Sequence, residues 1–173
     1  MPFISVCSLS RVHATVARLN PWGLISLLDP SSMIDTPVGV SPTTHLKLGL
    51  NDTTSSQEGL ISPAAAHVCA ILDHIQAWDQ AAPLVVHCWA GVSRSTATAF
   101  IVACALNPDI EPHIIASFIR EFSPTASPNR LLTACGDDLL CRGGKMVEAV
   151  DAIGRGEDCF EGVAFDLPAR WEV

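Results

Sequence analysis

The chain has 173 residues, of which 49% are hydrophobic and only 16% are charged. This length suffices for one well-buried domain and is too short for two ordinary ones. The formal net charge of -8, with 18 acidic against 10 basic residues, disfavours nucleic acid and anionic membranes as partners because both would repel the protein.

Short apolar runs alternate with longer helical patterns along most of the chain. The pattern predicts strands over residues 3–7, 22–28, 45–50 and 83–86, and helices over residues 10–19, 62–78, 95–106, 112–122 and 145–153, with a further helix that starts at Pro128. This alternation predicts an α/β fold, with a central, mainly parallel sheet flanked by helices on both faces. We expect one domain over residues 1–173, with residues 154–173 wrapping its surface.

The cysteine and histidine content gives no sign of a bound metal. Seven cysteines with no CxxC pair argue against a disulfide framework and against a zinc site, and six histidines lack ligand spacing. We therefore predict neither metal nor cofactor, and we expect Cys7, Cys69 and Cys104 to be small core residues. No run approaches the roughly 20 apolar residues that cross a bilayer, so we expect a cytoplasmic protein with no membrane partner. We also expect it to be a monomer.

The most informative run is residues 87–95, His-Cys-Trp-Ala-Gly-Val-Ser-Arg-Ser, which joins a buried strand to a buried helix. Free backbone N–H groups and the positive end of the helix dipole favour a dianionic phosphate at such a turn. Cys88 offers a thiolate nucleophile there, and the planar guanidinium of Arg94 can bind two phosphate oxygens. Ser93 and Ser95 offer hydroxyls near the sulfur, of which we favour Ser95. A buried structural cysteine with an incidental arginine is the alternative.

The run HCWAGVSRS resembles the HCxxGxxRS motif of cysteine-dependent protein phosphatases, and its AGVSRS ending resembles the small dual-specificity subgroup. The resemblance covers roughly residues 1 to 140. It implies a cysteinyl-phosphate intermediate on Cys88, with His87 orienting the loop. The phosphoryl group would be bound by Arg94 and by the loop residues Trp89, Ala90, Gly91, Val92 and Ser93.

This mechanism also requires an acid that protonates the leaving oxygen. Asp52 follows the strand pattern over residues 45–50 and opens a polar loop, and Asn51-Asp52-Thr53 resembles the acid loop of dual-specificity phosphatases. A simple turn is the alternative interpretation, and Asp35 is the reserve candidate for the acid.

Residues 127–129 indicate the start of a helix. Ser127 is predicted as its N-cap and Pro128 as its first residue. The family often has Pro-Asn-x-Gly-Phe here, and its asparagine braces the phosphate loop. This chain keeps Asn129 but has Leu131 and Leu132 in place of Gly-Phe, so bracing and capping both stay open.

The leading functional hypothesis is hydrolysis of phosphomonoesters, on a phosphorylated protein or a small phosphomonoester. The larger tyrosine-specific members of this family deepen their pocket with an aromatic loop that often carries a tyrosine, and this chain has no tyrosine. The resemblance therefore implies a shallower site that accepts phosphotyrosine and also phosphoserine and phosphothreonine. Lipid-directed members of the superfamily tend to carry basic residues in this loop, and this chain has no Lys or Arg between Cys88 and Arg94, so the resemblance disfavours phosphoinositides. A catalytically silent phosphate-binding module and a rhodanese-like sulfurtransferase are the alternatives.

Overall fold

A computed structural model describes residues 2–171, and a five-stranded sheet forms its centre. The strands are β1 (Phe3–Ser8), β2 (Gly23–Leu28), β3 (His45–Gly49), β4 (Leu84–Cys88) and β5 (Phe165–Pro168). Their order across the sheet is β3-β2-β4-β1-β5. The first four strands run parallel, and β5 runs antiparallel to β1 at one edge.

Six α-helices accompany the sheet. They are α1 (Val12–Leu19), α2 (Ala65–Gln76), α3 (Arg94–Leu106), α4 (Pro112–Phe122), α5 (Arg130–Leu139) and α6 (Lys145–Ile153). Three 3-10 turns lie at Leu9–Arg11, Pro30–Ser32 and Pro42–Thr44. Among the helices of residues 2–171, none is both long enough and apolar enough to cross a bilayer.

Helices cover both faces of the sheet, because successive side chains of each buried strand point to opposite sides. On one face, Val12 and Val16 of α1 pack with Leu24 of β2 and Val85 of β4. On the other face, α2 to α6 form the larger core with the remaining strand side chains. The predicted α/β fold with a mainly parallel sheet and helices on both faces is confirmed.

The start of α5 differs from the prediction. Asn129 is the N-cap, and its side-chain oxygen accepts a hydrogen bond from the Leu132 N–H at 2.9 Å. The prediction of Ser127 as the cap and Pro128 as the first helical residue is wrong. The Ser127 hydroxyl oxygen instead accepts the N–H of Gly156 at 2.8 Å. Serine and asparagine are both good N-caps, so local sequence did not distinguish them.

The segment after residue 153 does not only cover the surface, as predicted, but also adds a strand to the sheet. It contains β5, in which Phe165 and Leu167 are buried and Asp166 is exposed. A strand of four residues offers too short an alternation to stand out in the sequence, and its place at the sheet edge depends on pairing with β1.

The cysteines also differ in part from expectation. Cys7 and Cys104 are buried as predicted, and burial raises the pKa of Cys7 to about 11 and that of Cys104 to about 12. The prediction that Cys69 is a core residue is wrong, because it lies on the exposed side of α2. The residues of α2 that enter the core are its neighbour Val68 together with Ile71 and Ile75.

Two phenylalanines provide a test of where the stability of this fold lies. Phe100 of α3 is fully buried, whereas Phe160 is 93% exposed. We expect Phe100→Ala to lower the free energy of unfolding by about 3–5 kcal/mol, because it removes apolar burial and leaves a cavity. Phe160→Ala should change it by less than about 0.5 kcal/mol. Urea denaturation of both variants checks this, and equal losses would contradict the assigned core.

Candidate active site

Three neighbouring strands deliver polar side chains to one edge of the sheet. Asp29 follows β2, Asp52 follows β3, and Cys88 ends β4. The carboxyl ends of parallel strands meet at the same edge, where α/β proteins bind ligands. A cavity of about 540 Å³ opens there. It is lined by Asp29, Ser32, Asp52, Cys88, Trp89, Ala90, Val92, Ser93, Arg94 and Cys159.

Residues 89–93, here called the cradle loop, turn their carbonyl groups away from this cavity and into the surrounding protein. Four carbonyl oxygens accept backbone N–H groups: Trp89 from Leu9 (3.1 Å), Ala90 from Gly162 (2.8 Å), Val92 from Ser127 (2.9 Å) and Ser93 from Asn129 (3.1 Å). Within residues 2–171, no N–H group of the cradle loop donates to a protein acceptor. These donors are therefore available to an anion at the start of α3.

Gly91 is required by the shape of the cradle loop. Its φ of +72° lies in the left-handed region that favours glycine. A Cβ atom at this position would also lie 2.9 Å from backbone atoms of Cys7 and Ser8 at the end of β1. A side chain here would therefore displace the loop from the strand that supports it.

Cys88 and Arg94 lie on the same cavity, although each is almost fully buried. The Cys88 Sγ atom is 3.1 Å from the Ser95 Oγ atom, which places a hydroxyl beside the sulfur. The Arg94 Nη1 atom donates to the Asp29 Oδ1 atom at 3.0 Å and to the Leu50 carbonyl oxygen at 2.7 Å. The Nε atom of Arg94 is buried without a hydrogen-bond partner in the described structure. The guanidinium is thus fixed on one side and has an unused donor on another.

Asp52 is held beside the cradle loop by two donors. Its Oδ1 atom accepts from the Ser93 hydroxyl at 2.7 Å and from the Asn129 side-chain amide at 2.8 Å. Asn129 also donates to the carbonyl oxygen of Thr53 at 3.0 Å. This asparagine therefore caps α5 and also braces both the cradle loop and the loop that carries Asp52. Asp35, in contrast, lines a separate cavity beside α1.

A buried hydrogen-bond chain supports the strand that carries Cys88. The His87 Nδ1 atom lies 3.3 Å from the Cys88 carbonyl oxygen, so Nδ1 is the donor and Nε2 is left to accept from the Ser26 hydroxyl at 2.7 Å. The Ser26 oxygen then accepts from the His45 Nε2 atom at 2.8 Å, and the His45 Nδ1 atom accepts from Thr36 at 2.9 Å. Burial lowers the pKa of both histidines to about 4, which keeps both rings neutral.

Several solved structures of phosphatases have the same architecture. The structure of DUSP15 superposes with a TM-score of 0.64 at 17% identity, covering 91% of this chain and 96% of that one. Phosphatase PTP-2 of Cydia pomonella gives 0.56 at 17% identity, covering 79% and 83%. Human DUSP28 gives 0.55 at 17% identity, covering 86% and 94%. The chain has the fold of the dual-specificity phosphatases. No protein-family model and no curated protein matches the sequence.

Some residues that line the cavity were not predicted from the sequence as site residues. Asp29 could have been found, because it follows a buried parallel strand just as Asp52 does. No local sequence pattern predicts that Ser32 and Cys159 line the cavity, because the segments that carry them reach it only through tertiary contacts. Trp89, which the resemblance placed among the loop residues that bind the phosphoryl group, is 55% exposed and lines the cavity. Among the described residues, no group of three or more His, Cys, Asp or Glu side chains is arranged to hold a metal ion.

The two buried histidines predict an acid-sensitive fold. Their pKa values fall from 6.5 to about 4 on folding, so the unfolded chain binds more protons between these two pH values. The contribution of these two neutral histidines to the free energy of unfolding is therefore fully present above pH 6.5 and is lost as the pH falls towards 4. For His45 alone the loss reaches up to about 3 kcal/mol.

The variant His45→Gln isolates this effect, because it removes one titrating ring and keeps a donor and an acceptor. Its free energy of unfolding, measured by denaturation at pH 7 and near pH 4.5, should fall less than that of the wild type. Equal pH dependence in the two proteins would contradict the assignment of His45 as a buried neutral ring.

Proposed function

We propose that this chain is a phosphomonoester hydrolase, a cysteine-dependent protein phosphatase that acts on phosphotyrosine and also on phosphoserine and phosphothreonine. The observation that carries the proposal is the cradle loop. Its carbonyl groups are bonded outward, its N–H groups are unused, and Cys88 and Arg94 share the cavity that it borders. This combination suits a phosphoryl group seated above a sulfur nucleophile.

In the first step, the Cys88 thiolate attacks phosphorus. The sulfur–phosphorus bond forms as the bond from phosphorus to the leaving oxygen breaks. Asp52, protonated at this stage, gives its proton to that oxygen, which departs as a neutral alcohol. The cradle-loop N–H groups and Arg94 bind the three remaining phosphoryl oxygens through a loose transition state, and stabilise it mainly by electrostatics.

In the second step, water releases phosphate from the cysteinyl-phosphate. Asp52, now a carboxylate, takes a proton from water as the water oxygen bonds to phosphorus. The sulfur–phosphorus bond breaks and the thiolate returns. The Ser95 hydroxyl, 3.1 Å from the sulfur, donates a hydrogen bond to this departing thiolate.

Asp29 positions the phosphate-binding arginine in this scheme. Its carboxylate and the Leu50 carbonyl oxygen hold the Nη1 atom of Arg94, which leaves the donors on the Nε and Nη2 side of the guanidinium for phosphate. A guanidinium that is fixed before substrate arrives loses less side-chain entropy on binding. His87, linked to Ser26 and to the Cys88 carbonyl oxygen, is a positioning residue for the base of the loop.

The geometry favours Asp52 over Asp35 as the general acid. Asp52 lines the cavity with Cys88 and is bound through Ser93 and Asn129 to the cradle loop. Asp35 lies along another cavity and is not among the residues that line the cavity with Cys88.

The first test compares Cys88→Ser with Cys69→Ser, a matched change at an exposed cysteine of α2. We expect wild type and Cys69→Ser to hydrolyse p-nitrophenyl phosphate and Cys88→Ser to fall to background, because a serine hydroxyl is not ionised at neutral pH. Phosphate binding without any turnover by the wild type would instead indicate a silent binding module. Cyanide-dependent conversion of thiosulfate to thiocyanate would indicate a sulfurtransferase.

The second test concerns the acid. Asp52→Asn should lower kcat for an alkyl phosphate by about 10²–10⁴-fold. The loss should be smaller for p-nitrophenyl phosphate, whose leaving group needs less protonation. Asp35→Asn serves as the control and should behave as the wild type. If Asp35→Asn shows the loss and Asp52→Asn does not, the acid role belongs to Asp35.

A further inference from the structure

A second, smaller groove adjoins the catalytic cavity. Its volume is about 240 Å³, and it is lined by Ser8, Leu9, Ser10, Trp89, Phe160 and Glu161. Trp89 lines both the groove and the cavity, so the two are separated by a single side chain. A molecule that fills the cavity can therefore extend directly into the groove.

The outer wall of the groove is Phe160, which is 93% exposed but belongs to an anchored segment. We call residues 156–163 the strap. The N–H of Gly162 donates to the Ala90 carbonyl oxygen at 2.8 Å, and the N–H of Val163 donates to the Thr125 hydroxyl at 2.9 Å. A Cβ at Gly162 would lie 2.8 Å from the Gly91 carbonyl oxygen, so the strap lies directly on the cradle loop.

The side chain of Glu161 also anchors the strap. The Glu161 carboxylate accepts hydrogen bonds from the hydroxyls of Ser8 and Ser10 and forms a 3.4 Å ion pair with Arg11. Its negative charge is thus already matched by protein groups. These contacts therefore anchor the backbone next to Phe160, whose ring is exposed and contributes little to the core.

These contacts determine which chemistry the groove accepts. Its walls are the exposed aromatic side chains of Trp89 and Phe160 together with Leu9, and no cation is among its lining residues. A second phosphate would find no positive partner there. A substrate lysine or arginine would compete with Arg11 for Glu161. An apolar side chain would gain contact with both rings and displace water from them.

We propose that the groove between Trp89 and Phe160 binds an apolar side chain, such as leucine, methionine or phenylalanine, that flanks the phosphorylated residue of a peptide substrate. This inference rests on the proposed phosphatase function and adds a specificity determinant to it. Phe160 is a substrate-docking residue, and the strap acts by holding it beside the cradle loop. Phosphorylated peptides are then better substrates than small phosphomonoesters.

The experiment uses phosphotyrosine peptides with alanine at all flanking positions, into which leucine is introduced at one position at a time. With the wild type, leucine at one or two positions should raise kcat/KM about 5- to 20-fold over the all-alanine peptide. Lysine and glutamate at the same positions should give no increase. No preferred position, or a preference for lysine over leucine, would overturn the proposal.

The variant Phe160→Ala should reduce the leucine-to-alanine ratio of kcat/KM to about 1, because one wall of the groove is lost. Both peptides are measured on one enzyme preparation, so any loss of folded protein cancels in this ratio. Phe122→Ala is the matched control, since Phe122 is an exposed phenylalanine of α4 that lines neither cavity nor groove. A ratio that persists in Phe160→Ala, or one that is lost equally in Phe122→Ala, would overturn the proposal.

Fluorescently labelled forms of the same peptides separate docking from catalysis when their binding to Cys88→Ser is measured by fluorescence polarisation. The leucine peptide should bind Cys88→Ser more tightly than the all-alanine peptide, and this difference should disappear in the double variant Cys88→Ser/Phe160→Ala. That result supports docking in the groove even if the wild type hydrolyses neither peptide. That outcome would refute the hydrolase proposal alone. Hydrolysis without any leucine preference in rate or binding would refute the docking proposal alone.

Discussion

The site depends on the outward hydrogen bonding of the cradle-loop carbonyl groups. A turn of this kind leaves strong backbone donors on its inner side only if its acceptors are satisfied elsewhere. Elements distant in sequence provide that: the turn after β1, the segments around Ser127 and Asn129, and the strap at Gly162. With Arg94 fixed at the start of α3, the loop concentrates positive potential above the Cys88 sulfur in a protein whose net charge is -8. The proposed anion site is therefore a local feature whose charge is opposite in sign to the net charge of the protein.

The parallel sheet explains why the chemical groups converge. β2, β3 and β4 end at the same edge, so Asp29, Asp52 and Cys88 meet although the chain separates them widely. Behind that edge, the neutral histidines His45 and His87 share the hydroxyl of Ser26, so the buried polar groups next to the strand that carries Cys88 are hydrogen-bonded. In front of it, the strap closes one side of the cavity. A hydrogen-bonded buried region behind the cavity and a strap along its edge suit a reaction that depends mainly on positioning and electrostatics.

Much of this arrangement could be predicted from local sequence, because its strongest elements are local. The strand before Cys88, the helix after Arg94 and the need for Gly91 all lie within one short run, and the alternation of strands and helices was sufficient for the fold class. What could not be predicted depends on long-range contacts. The placement of Phe160 and Cys159 beside the cavity depends on hydrogen bonds between the strap and loops far away in sequence. The N-cap at Asn129 was mistaken for Ser127 because both residue types cap helices and only the tertiary partners of each decide between them.

The most direct test of the account is identification of the covalent intermediate. The wild type is mixed with an excess of p-nitrophenyl phosphate, quenched in acid within the first turnovers, digested and analysed by mass spectrometry. The account predicts one phosphoryl group on the sulfur of Cys88, formed before phosphate appears in solution. Phosphate release with no modified peptide at any quench time, or a phosphoryl group on a different residue, would contradict it.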